Sequence, residues 1–142
     1  MQKTRLRKYA KLIAKMGCNV KKNQDVVVNA GLDQPEFVEM VVEELYRLGA
    51  RKVHVKWNYQ PLTKLNVRHQ SLKTLSTFDS YEEAELKWSA DVLPARVAII
   101  SPDPDGLKGV NVAKMSKGQQ GRYPVMKPYR EAMDGKIGRA HV

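Results

Sequence analysis

The sequence predicts an α/β fold, βαβ-based, with a largely parallel sheet and helices on both faces. Three neighbouring segments carry that prediction. Asp25-Val-Val-Val-Asn29 is a short β-branched run that reads as a buried strand. Between Asp33 and Gly49, Phe37, Val38, Val41, Val42, Leu45 and Leu48 recur at helical spacing, with Glu36, Glu39, Glu43 and Glu44 mostly outside. Arg51 to Trp57 then alternates Val53, Val55 and Trp57 against His54 and Lys56. Strand, helix and strand with short joints make a βαβ unit, whose crossover is nearly always right-handed.

The other elements follow in order. Residues 4–17 read as a helix with Leu6, Tyr9, Ala10, Ile13 and Met16 on one face and Arg5, Lys8, Lys11 and Lys15 around it; Gly17 can end it. Asp33 suits the N-cap of the second helix, with Pro35 in its first turn and Glu36 three residues after the cap, and Gly49 closes it. Leu62, Leu65, Leu72 and Leu75 suggest a further helix, broken near His69. Ser80-Tyr-Glu-Glu83 reads as a capping box for a helix to about Val92, ended by Pro94. Arg96 to Ser101 is a third strand. After the turn at Pro102–Gly106, residues 112–133 read as helical with breaks at Gly118, Gly121, Pro124 and Pro128.

The 142 residues suit one domain with a real core, and 42% hydrophobic with 28% charged is a globular composition. No apolar run approaches a membrane span, and the basic N-terminus lacks the apolar stretch of a secretory signal, so no membrane partner is expected. Cys18 is the single cysteine; an internal disulfide is impossible and a cytoplasmic setting is expected. The net charge of +10 comes in alternating blocks, and only residues 1–24, with eight Lys or Arg and no acid, look like a phosphate-binding face.

Recognisable catalytic chemistry is absent. There is neither a GxGxxG dinucleotide loop nor a GxxxxGK[ST] phosphate loop. His54, His69, His141 and Cys18 make no metal-ligand spacing, and Ser101 and Ser116 have no histidine at a spacing typical of nucleophilic catalysis. Glu82, Glu83 and Glu85 are better explained by helix capping and the helix dipole than by acid–base work. No catalytic and no metal-binding residue is assigned. The remaining candidate is the carboxyl edge of the sheet, where ligands of parallel α/β folds gather. There Trp57, Asn58 and Asp103 are the candidate chamber-facing or ligand-side residues; the alternative is that Trp57 packs and Asp103 stabilises a turn.

Taken in order, Leu6-Arg-Lys-Tyr-Ala-Lys-Leu-Ile-Ala-Lys-Met-Gly-Cys-Asn-Val20, Asp25-Val-Val-Val28, Glu43-Glu-Leu-Tyr-Arg-Leu-Gly-Ala50, Lys52-Val-His-Val-Lys-Trp57 and Ile100-Ser-Pro-Asp-Pro-Asp-Gly-Leu-Lys-Gly-Val110 form a specific series. Over roughly residues 4–136 it resembles the N-terminal domain of the thermophilic-type metallo-aminopeptidases, the aminopeptidase T and aminopeptidase S group. The resemblance implies a cytoplasmic homodimer that removes N-terminal amino acids from peptide substrates with two divalent metal ions, cobalt, zinc or magnesium. It places the metal ligands in a C-terminal domain, so no ligand carries over to these residues and the fragment alone is expected to be inactive. The tail Ile137–Val142 can be encoded by ATC GGA AGA GCA CAC GTC, the read-through of a sequencing-library adapter. Residues 1–136 are therefore expected to be the N-terminal α/β domain and 137–142 a non-native tail. The alternative reading is a stand-alone basic module that binds nucleic acid through helix 4–17 and Lys21-Lys22; the chain has no RNA-binding signature, and that partner is not expected.

Overall fold

The alternation of a single strand organises the first half of the molecule. The structure, a computed structural model, describes residues 3–17, 20–99 and 105–140. Strand β1 (Asp25–Gly31) lies between β2 (Lys52–Asn58) and β3 (Ala95–Ile99), and all three are parallel. In register, Val26 stands beside Val53 and Ala95, Val28 beside Val55 and Val97, and Ala30 beside Trp57 and Ile99. Paired residues of a parallel sheet share a face. This face packs on helices α1 (Lys3–Leu12) and α2 (Pro35–Arg47), and the sheet is flanked by helices as the sequence predicts.

Helix α2 buries Phe37, Val38, Val41 and Leu45 of the predicted stripe but leaves Leu48 exposed; Glu44, expected outside, is buried and accepts from Arg47 at 2.7 Å, and the Leu48-Gly49 end carries Gly49 at φ +104°. Burying one such apolar side chain stabilises the fold by roughly 1.5–3 kcal/mol. Its start differs from expectation: Gln34, not Asp33, is the N-cap, and it makes no side-chain hydrogen bond. Pro35 opens the helix, and a proline at the first helical position fixes the residue before it as the cap. Helix α1 presents Ala10, and the π-helical turn Ile13–Gly17 that continues it presents Ala14; both are fully buried, so the backbone can lie close to the core. Cys18 lies outside the described residues.

Helices α3 (Gln60–His69), α4 (Leu72–Leu75), α5 (Ser80–Val92) and α6 (Val112–Ala140) form a second compact unit, distinct from the one made by the strands, α1 and α2. The break after His69 is where the sequence places it, and Ser71 caps α4 by accepting from the Thr74 amide at 3.1 Å. The capping box of α5 sits one residue earlier than expected: Asp79 is the cap and Glu82 Oε1 accepts from its amide at 3.2 Å. Aspartate caps as well as serine, so the register went to the residue that let Glu82 also reach Arg122. Helix α6 runs through Gly118, Gly121, Pro124 and Pro128 without the expected breaks, and past Gly135.

The glycines of α6 have a packing role. A Cβ at Gly121 would lie 2.5 Å from Ser76 Cβ, and one at Gly118 would lie 3.0 Å from Leu75 Cβ. Bare backbone at these two positions lets α6 rest on the end of α4. Arg122 then fastens the contact: it donates to the Thr77 carbonyl at 3.0 Å and Glu82 Oε2 at 2.6 Å, and lies 3.8 Å from the centre of the Phe78 ring. Burial pushes the Glu82 carboxyl up, but the Arg122 guanidinium and the Asp79 amide outweigh it and hold it below the usual range. Tyr129 donates to Glu83 at 3.0 Å, so Glu82 closes the capping box and Glu83, expected to do so, accepts from α6 instead.

Candidate functional site

Because the strands are parallel, their carboxyl ends at Gly31, Asn58 and Ile99 open on one edge. The chain leaves β1 for β2 on one side and returns to β3 on the other. That change of direction makes a crevice beside β1, the place where such sheets take ligands. A cleft of about 680 Å³ lies there, with walls of Leu6, Tyr9, Ile13, Phe37 and Ile99 and with Asp33 and Glu36 among its polar groups. The Tyr9 ring stacks on Phe37 with centroids 5.7 Å apart and planes 20° apart. Asp33 folds back over the strand end: a Cβ at Gly31 would lie 2.6 Å from its Oδ1, so the glycine makes room for the carboxylate.

The predicted residues divide on this edge. Trp57 and Asn58 end β2, on the far side of β1 from Ile99, and neither lines the cleft. Trp57 remains 46% exposed, and the Asn58 carbonyl accepts from the Leu32 amide at 3.2 Å, tying β2 to the turn after β1. Asp103, with Ser101 and Pro102, lies outside the described residues, as does His141. The apolar walls of the cleft, from α1 and α2, were not legible as a site. Tyr9 and Phe37 read as two helices' core positions, and their spacing gave no sign that the rings would meet at a strand end.

At the opposite, amino edge, Asp25 is only 4% exposed and accepts from two groups on β2 and the residue before it. Arg51 binds it with two nitrogens, through Nε and through Nη2 (2.8 Å to Oδ2), and His54 Nε2 lies 2.9 Å from Oδ2. The Arg51 hydrogen bond is the largest influence; together with His54 it outweighs burial and holds the Asp25 carboxyl down at about 2. His54 is thus a half-buried sheet residue with a structural partner. The sequence signal was an acid opening one strand and Arg51-Lys52 opening the next. In parallel register those ends coincide.

Chemically, the described residues offer recognition surfaces. Among them no group of three or more His, Cys, Asp or Glu could hold a metal ion. The one His–Asp pair at the amino edge already carries a guanidinium.

The sequence pattern described as thermophilic metalloprotease (M29) matches residues 2–138. The chain belongs to this family. Among relatives, the aminopeptidase AmpS of Bacillus subtilis (strain 168) is 32% identical over 130 residues, covering 89% of this chain and 31% of its own length. The aminopeptidase PepS of Streptococcus thermophilus is 28% identical, covering 92% and 32%. The solved structure of wild-type AmpT from Thermus thermophilus superposes with a TM-score of 0.76 at 27% identity, over 92% of this chain and 33% of that one. The chain thus spans about a third of the length of the relatives it matches. The family implies a metal cofactor, and the donor set here does not fit one: the described carboxylates and imidazoles do not converge in threes. Among the described residues no helix is long and apolar enough to cross a membrane.

Proposed function

We propose that this chain is the N-terminal, non-catalytic portion of a metal-dependent aminopeptidase that releases N-terminal residues from peptides in the cytoplasm as a homodimer. The single observation that carries the reading is the M29 match along residues 2–138 in a chain whose described donors do not converge on a metal. On this reading the two divalent ions, whether cobalt, zinc or magnesium, are held by residues outside the chain. The matched span, residues 2–138, is on this reading the N-terminal α/β domain of that enzyme. Its role is shape: the strand-end surface with Trp57 and Asn58 faces the catalytic chamber and narrows it to unfolded peptide, while Asp103, expected to share that role, lies outside the described residues.

Large apolar groups left in water at the end of β2 support this role: Trp57 is 46% exposed and Tyr59 49%. Such a surface suits coverage by further protein. The test is hydrolysis of short leucyl peptides by the 142-residue chain and by a version carrying the remaining two-thirds of the family length. The expected result is none from the chain and chelator-sensitive release from the longer protein. Chelator-resistant hydrolysis by the chain, or an inert longer protein, would refute the proposal.

A further inference from the structure

Leu107-Lys-Gly-Val110 is part of the family resemblance, yet these residues lie in the helical unit and take no part in the strand-end cleft. The structure gives the segment a different setting. Two turns succeed each other there: the Lys108 amide donates to the Asp105 carbonyl at 3.0 Å, and the Val110 amide to the Leu107 carbonyl at 3.1 Å. Gly109 sits at φ +83° in open space, so its glycine is required by the backbone and not by a neighbour. Asn111 then caps α6 by accepting from the Lys114 amide at 3.0 Å.

This loop and α3 enclose a groove of about 790 Å³. Pro61, Leu65 and Val110 give it an aliphatic surface, and Lys64, Arg68, Lys108 and Lys114 surround that surface with charge. The lining contains no acid, and among the described residues none of the four cations makes an ion pair. Four like charges around one concavity focus a positive potential that favours an anionic ligand. The amino end of α6 at Asn111 adds a positive helix dipole to the same place.

We propose that this groove binds an acidic segment of a peptide, with the cations pairing side-chain carboxylates and the aliphatic surface taking the residues between them. The inference rests on the peptidase reading for its peptide class and deepens it: the groove makes acidic peptides the preferred substrates. A nucleic acid fits less well, because the lining has no aromatic ring on which a base could stack.

The test uses the 142-residue chain and a fluorescent, C-terminally amidated hexapeptide, Leu-Glu-Ala-Glu-Leu-Ala, beside its glutamine counterpart. Anisotropy should show the glutamate peptide binding at least about tenfold tighter at low salt, an advantage that shrinks as salt rises. Lys64→Gln with Arg68→Gln should abolish the advantage, and Lys108→Arg should keep it. Arg7→Gln with Lys11→Gln, on the equally basic α1, should also leave it intact; circular dichroism confirms that each variant is folded. Equal affinity for the two peptides overturns the proposal. So does an equal loss in the α1 variant, which would reduce the effect to bulk charge, or displacement of the peptide by mixed RNA at lower concentration. Binding is read without any hydrolysis, so failure here is distinct from failure of the peptidase reading, which the leucyl-peptide assay tests.

Discussion

In the strand unit, Val26, Val28, Val41 and Leu45 are shut away from water; in the helical unit, Leu62 and Leu65 on α3 and Leu72 on α4 stay exposed. Among the described residues the strand unit buries two helices against a sheet, whereas in the helical unit only Val67 and Ala90 among the apolar side chains are buried and most of the large ones are half-buried; exposed large apolar groups occur in both units. The helical unit is held instead by polar fastening and close backbone approach: Arg122 on Thr77, Glu82 and Phe78, and Gly118 and Gly121 on the end of α4. The difference teaches where each unit finds its stability: the strand unit in a buried apolar core, the helical unit in polar contacts and close backbone approach.

The largest effect expected on this contrast comes from the core. Leu45→Ala should cost about 2–5 kcal/mol in urea unfolding, while Leu65→Ala should cost less than about 1 kcal/mol. Equal costs would erase the contrast. Next, Arg122→Ala removes two hydrogen bonds and a ring contact, and should cost about 1–3 kcal/mol. Amide exchange should quicken in α4, α5 and α6 and stay unchanged in β1; equal quickening in β1 would mean that the two units unfold together.

The third effect is confined to acid. Asp25 has its carboxyl held down at about 2, so its bonds to Arg51 and His54 stabilise the fold fully above the usual 3.8 and lose that contribution as pH falls through about 2. Asp25→Asn should therefore lower the urea midpoint at neutral pH and flatten the acid limb; an unchanged limb would show that the bond is not formed. The smallest effect is at Trp57, which is half in water: Trp57→Ala should alter the stability of this chain by less than about 0.5 kcal/mol. A larger loss would make it a packing residue and not a surface held for another domain.

The same contrast decides what could be read from the sequence. The β1–α2–β2 unit was legible because its apolar positions follow one period each and most are buried within it: Val26 and Val28 in the strand, Phe37 to Leu45 in the helix, with Leu48 and Trp57 at the ends left exposed. Helix caps were legible to within one residue, since Pro35 and the Glu82–Arg122 pair chose between adjacent candidates. Helix α6 was not. Its glycines and prolines read as breaks because the sequence does not show that Ser76 and Leu75 will fill the glycine notches. Of the site, the common strand edge was legible from parallel topology, and the cleft walled by Tyr9 and Phe37 was not. It forms where two helices distant in sequence meet.

Native-state amide exchange in the 142-residue chain and in a version extended to the family's full length tests the central claim most directly. The predicted result is high protection in β1 and α2 in both proteins, with α3 to α6 weakly protected in the chain alone and strongly protected in the longer protein. Helices α3 to α6 as protected as β1 in the chain alone, with no gain on extension, would contradict it: the helical unit would then be complete as it stands.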